Sequence, residues 1–191
     1  MQVMESTVST QRKKIHPHKF TLWIGIGSII MMFAGLTSAY IVKRNQAEWS
    51  SVIIPKIFYY STVVMLISSL TIQMALKAFK ERNMHQYRRL ITITALLGLG
   101  FIAMQITGFM QLTEAGSRLE GSGAAAFLYV IFGLHALHVL GGAAALLWML
   151  FRAFSARIRS YNPVPVELAA TYWHFVDLLW IYLFVFFLWK V

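Results

Sequence analysis

Long apolar runs separated by short basic gaps set the plan of this chain. The runs are Phe20 to Val42, Ile57 to Leu76, Leu90 to Thr113, a stretch from 124 to 151, and Leu168 to Trp189. A helix rising about 1.5 Å per residue crosses the ~30 Å bilayer core in roughly 20 residues, so each run is long enough to span. Pro55, just ahead of the second run, is a natural helix start. The pattern predicts an all-α fold: a polytopic membrane protein with one five-transmembrane-helix bundle from 20 to 191. The preceding residues, 1–19, hold Arg12, Lys13, Lys14, His16, His18 and Lys19 and read as a solvated or headgroup-level tail. They do not read as a secretory signal, because the following apolar run is too long.

The polar positions inside the runs are periodic. Gly25, Ser28, Met32 and Gly35 share a face of the first helix, and Thr94, Gly98, Phe101, Gln105 and Gly108 a face of the third. In the fourth, Ala124, Leu128, Ile131, His135, His138, Gly142 and Ala145 form one broad face. Small residues allow close helix approach and His supplies an interhelical hydrogen bond, so each helix is expected to turn such a face to its neighbours. In the fifth, Glu167, Thr171 and His174 fall on one stripe, with Asp177 about 60° further round and Trp173 and Trp180 on another face. An Asp at that depth costs on the order of 3 kcal/mol, so this seam requires a partner. The fourth and fifth helices are consecutive, which predicts antiparallel packing and a polar clasp joining His135 and His138 to Glu167, His174 and Asp177. Trp23, Trp49, Tyr59, Tyr60, Trp148 and Trp189, near the span ends, read as interfacial anchors.

Composition narrows the class. Hydrophobic residues make up 58% of the chain and charged ones 13%, and the mean hydropathy is +0.63, as in a membrane protein. The net charge of +10 does not indicate nucleic acid, because the basic residues sit in the gaps between runs. With no cysteine, disulfides, Fe–S clusters and thiolate-bound copper are excluded. Of the 17 Lys and Arg residues, 12 fall on the amino-terminal side and 5 opposite. The positive-inside bias then predicts a cytoplasmic amino terminus and a periplasmic carboxyl terminus. On the cytoplasmic side, Arg82, Arg88, Arg89, Arg152 and Arg157 are candidates to hold anionic lipid headgroups.

Two chemical readings stand beside structural ones. His135, His138 and His174 suggest haem or metal ligation, since His is a common axial ligand; alternatively they are buried hydrogen-bonding groups. Glu167, His174 and Asp177 suggest a proton relay; alternatively they form the interhelical clasp. The structural readings are preferred, because three intramembrane His make a poor ligand set and no acidic residue inside the first four spans continues a relay. Gln105 reads as a packing hydrogen bond.

The run Glu167…Tyr172-Trp173-His174-Phe175-Val176-Asp177…Trp180 resembles the last helix of subunit III of the haem-copper oxidases. Gly133-Leu134-His135-Ala136-Leu137-His138-Val139…Gly142 resembles that family's penultimate helix, and Leu97-Gly98-Leu99-Gly100-Phe101…Gln105 the one before. The resemblance covers the chain from Phe20 onward and is to the short five-helix bacterial form. Two positions depart from the family pattern: Ile29 stands where many members carry a membrane-embedded Glu, and Gly108 where many have an acidic residue. The resemblance implies a non-catalytic subunit of a respiratory terminal oxidase in the bacterial inner membrane. Such a subunit binds no haem, copper or other cofactor itself; these lie in partner subunits. It packs on catalytic subunit I and other oxidase subunits, holds structural phospholipid and supports proton uptake in a complex that reduces oxygen and pumps protons. The alternatives are subunit III of a quinol oxidase, an accessory subunit of a nitric oxide reductase and, in another class, a self-contained membrane cytochrome or transporter.

Overall fold

The computed structural model describes residues 17–43, 55–114, 123–155 and 162–190. They form five helices: α1 (Pro17–Lys43), α2 (Ile57–Lys80), α3 (Met84–Glu114), α4 (Gly123–Phe154) and α5 (Val164–Lys190). All five are long and apolar enough to cross a membrane, and the chain is a multi-pass membrane protein. The expected tail lies outside the described residues up to His16, and its last residues already belong to α1. Trp49, Arg157 and the side chain of Ala124 also lie outside them. The helices run past the apolar stretches; α3 begins at Met84, well before Leu90, because helical geometry continues into the polar layer.

Local chemistry sets the ends. The backbone N–H of Phe58 donates to the Pro55 carbonyl at 3.2 Å, opening α2. α2 closes on a paired carbonyl cap: Asn83 N–H donates to Ala78 O at 3.0 Å and Arg82 N–H to Phe79 O at 3.1 Å. This places Arg82 at φ 60, in the left-handed region that glycine usually fills. Asn83 then caps α3, its Oδ1 accepting from Gln86 N–H at 3.2 Å.

Helices α2, α3, α4 and α5 close a ring, α2 on α3, α3 on α4, α4 on α5 and α5 back on α2. α1 lies outside the ring against α4 and α5 and approaches neither α2 nor α3. Its expected small-residue face is not the packed one. Gly25, Ser28 and Gly35 are exposed, with nothing within 4 Å of a Cβ built on either glycine. Instead α1 docks through larger groups on its other side. Phe33 meets His138 edge-on at 5.9 Å, Tyr40 meets Phe187 at 5.3 Å, and Thr37 Oγ1 shares a 2.9 Å hydrogen bond with Tyr182.

The core is centred on α5. Trp180 lies 5.8 Å from Phe58, 5.5 Å from Phe101 and 5.5 Å from Phe132, joining α2, α3 and α4. Trp173 occupies the space that two glycines leave open. A Cβ on Gly142 would sit 2.9 Å from its ring, and one on Gly98 3.0 Å.

Candidate functional site

The polar groups of α5 face a patch on α2. Within that apolar span, Ser61-Thr62 and Ser68-Ser69 recur a heptad apart and so share one face. The indole of Trp180 donates to Thr62 Oγ1 at 3.0 Å, and that of Trp173 to Ser68 Oγ at 3.1 Å. His174 Nδ1 lies 2.6 Å from Ser69 Oγ, and its Nε2 lies 3.1 Å from Gln73 Oε1. Each polar contact gives an indole or imidazole a partner that lipid cannot supply.

Asp177 sits one turn on from His174 and is 2% exposed. Neither carboxyl oxygen has a hydrogen-bond partner among the described residues. At the other end of the seam, Glu167 joins three helices. Lys19 of α1 approaches one carboxylate oxygen at 2.6 Å and Lys80 of α2 the other at 2.8 Å. A cavity of about 370 Å³ lies beneath these ion pairs, lined in part by Trp23, Gln73, Glu167 and Thr171. It occupies the gap that α1 and α2 leave by not touching.

The histidines of α4 are placed apart from this seam. His135 is 1% exposed and neither ring nitrogen has a hydrogen-bond partner among the described residues. Its ring stacks on Trp180 at 5.2 Å and meets Phe101 edge-on at 6.5 Å. His138 uses Nδ1 on the Leu134 carbonyl one turn back, at 2.7 Å. No hydrogen bond links either histidine to Glu167, His174 or Asp177; α4 and α5 are joined by Tyr172, whose hydroxyl donates to the His138 carbonyl at 3.2 Å. The expected partner helix for the seam was α4, and the observed one is α2. Gln105 donates weakly to Ser61 at 3.4 Å and lines an apolar cavity of about 150 Å³ with Phe101, Phe132 and His135.

Among the candidate headgroup residues, Arg88 donates from Nε to the Ala153 carbonyl at 2.8 Å, pinning α3 to the end of α4. Arg152 lies over the Trp148 ring at 5.3 Å. Arg82 and Arg89 are exposed. Among the described residues no three His, Asp or Glu side chains gather as a metal site would require. Sequence reasoning passed over Lys19, Lys80, Thr62, Ser68, Ser69 and Gln73. The paired hydroxyls a heptad apart were the available signal.

Residues 19–191 match the family described as cytochrome c oxidase subunit III. A probable cytochrome c oxidase subunit 3 of Nocardia farcinica is 33% identical over 166 residues, 84% of this chain and 82% of the relative. One from Mycobacterium tuberculosis H37Rv is 32% identical over 166 residues with the same coverage. The cytochrome c oxidase subunit 3 of Bacillus sp. strain PS3 is 26% identical, covering 85% of this chain and 80% of its own length.

Proposed function

The chain belongs to the cytochrome c oxidase subunit III family, and from that premise we propose that it is the non-catalytic subunit III of a respiratory oxidase. In this reading it sits as one transmembrane domain in a bacterial inner membrane, amino terminus in the cytoplasm, beside the catalytic subunit I. It stabilises that subunit, holds phospholipid and supports proton uptake, while haem and copper stay in the partner subunits. Arg82, Arg88, Arg89, Arg152 and Arg157 serve as headgroup contacts on the cytoplasmic side.

One observation carries the non-catalytic reading. The intramembrane groups that resemble ligands are packed between helices and do not gather round a common centre among the described residues. His174 has both nitrogens engaged by α2, His138 has Nδ1 on its own backbone, and His135 is enclosed between Trp180 and Phe101. His174 could bind a metal only by giving up a bond to α2.

The test is a comparison of the native complex with one depleted of this chain. Metal and haem analysis should leave iron and copper with the remaining subunits, and initial oxygen reduction should persist while activity decays faster during turnover. Stoichiometric haem on this chain, or immediate loss of turnover without it, refutes the reading. Reporter fusions at the two ends check the orientation; a cytoplasmic carboxyl terminus contradicts it.

A further inference from the structure

Ser61 fixes which way the amide of Gln105 points. Its hydroxyl donates to the Phe58 carbonyl at 3.0 Å, so its one proton is used. Toward Gln105 it can only accept, and the amide nitrogen faces it at 3.4 Å. The other end of the amide, Oε1, is left without a hydrogen bond among the described residues. Gln105 is only 6% exposed, and an acceptor held among apolar groups without a donor is costly.

This side chain lies in the wall of the cavity of about 150 Å³ between α3 and α4. Phe101 and Phe109 of α3 and Phe132 of α4 supply rings to the same wall. Phe109 and Phe132 meet edge to face at 5.8 Å. Ile106 of α3 and Leu140 of α4 also line the cavity, and both are about half exposed. The cavity therefore opens between these two helices, toward the bilayer.

The lining selects among occupants. A buried water takes two to four polar partners. The nitrogens of His135 are enclosed, which leaves Gln105 Oε1 as the polar atom for an occupant to meet. A charged group would lose its hydration with nothing to replace it. A dry apolar cavity of about 150 Å³ takes up benzene. What fits both the space and the one open acceptor is a ring of that size with a hydroxyl to donate.

We propose that the cavity between α3 and α4 binds compact, uncharged aromatic alcohols dissolved in the bilayer. The ring lodges among Phe101, Phe109 and Phe132, and the hydroxyl donates to Gln105 Oε1. The site is separate from the ion-paired seam of α5 and holds whether or not the chain assembles with an oxidase.

The test uses the full chain in lipid nanodiscs and two probes of similar size, 4-fluorophenol and fluorobenzene, followed by fluorine NMR. 4-Fluorophenol should give a bound resonance, distinct from probe dissolved in the lipid, that saturates and is displaced by phenol. Fluorobenzene lacks the hydroxyl and should bind about three- to tenfold more weakly, each probe referred to its own concentration in the lipid. Gln105→Leu should erase that preference and leave fluorobenzene bound. Ala136→Leu, which adds a larger side chain to the cavity wall, should exclude both probes. The comparison of the two probes in the wild-type chain stands by itself should either variant fold poorly. Absence of a saturable 4-fluorophenol resonance overturns the proposal. So does equal affinity for the two probes, which marks a crevice filled by lipid chains. A preference that survives Gln105→Leu, or binding that survives Ala136→Leu in the folded chain, puts the probe elsewhere and overturns it as well.

Discussion

Adding one methyl group at Gly142 tests whether the packing of Trp173 sets the geometry of the bundle. The new Cβ would lie 2.9 Å from Trp173 Cε3, 3.1 Å from Cζ3 and 3.3 Å from Tyr172 Cε1, against about 3.5–4.0 Å for relaxed carbon contacts. The indole has little room to retreat. Gly98 holds Cη2 and Cζ2 from α3, at 3.0 and 3.1 Å from its own would-be Cβ, and Nε1 is tied to Ser68 on α2. Overpacking of this kind costs about 1–3 kcal/mol. The gain in helix propensity from Gly to Ala is at most ~1 kcal/mol. Overlap therefore wins, and Gly142→Ala should destabilise the subunit by about 1–2 kcal/mol. Gly133→Ala is the control, since a Cβ there meets nothing within 4 Å; it should be neutral or mildly stabilising. The assay is thermal unfolding of the purified chain in detergent, followed by near-ultraviolet circular dichroism. Equal midpoints for the two variants would refute the packing argument. If they differ, Gly142→Ala combined with Trp173→Phe should cost less than the sum of the single changes, because the smaller ring removes the overlap.

Three further outcomes follow from the same geometry. Glu167→Gln loses ion pairs to Lys19 and Lys80, but those side chains are 42% and 52% exposed, so the cost should be no more than about 1 kcal/mol; unfolding at low and high salt checks it, and the deficit must shrink as salt rises. His135→Met removes two buried nitrogens without partners and should be neutral or stabilising, within about 1 kcal/mol; a large drop in melting temperature would mean that His135 has an essential polar partner. Thr62→Val leaves the Trp180 indole without its acceptor and should cost about 1 kcal/mol, visible as a lower melting temperature and altered Trp fluorescence.

The five helices were legible because apolar runs of spanning length have few other fates, and the resemblance was legible from Leu97-Gly98-Leu99-Gly100-Phe101…Gln105 in α3 and from the spacing of His135, His138, His174 and Asp177 in α4 and α5. The partner of the seam was not. Adjacency in sequence pointed to α4, yet His174 meets Ser69 and Gln73 of α2. Helix periodicity fixes which residues share a face but not which neighbour that face meets. Closure of the ring by α5 on α2 is decided by the fit of Trp173 and Trp180 to glycines and hydroxyls on three other helices. The small face of α1 misled for a related reason. Small residues permit close approach without requiring it, and the aromatic side of α1 offered more buried contact.

Because α1 and α2 do not touch, the helix that joins them is α5, the last of the five to leave the ribosome. Until it arrives, Lys19 and Lys80 have no shared carboxylate, and Thr62, Ser68 and Ser69 on α2 lack their α5 partners. α2 and α3 are joined by a short turn, whereas α1 meets only α4 and α5. A nascent chain stalled before Val164 would therefore present an open ring whose α2 hydroxyls lack their α5 partners.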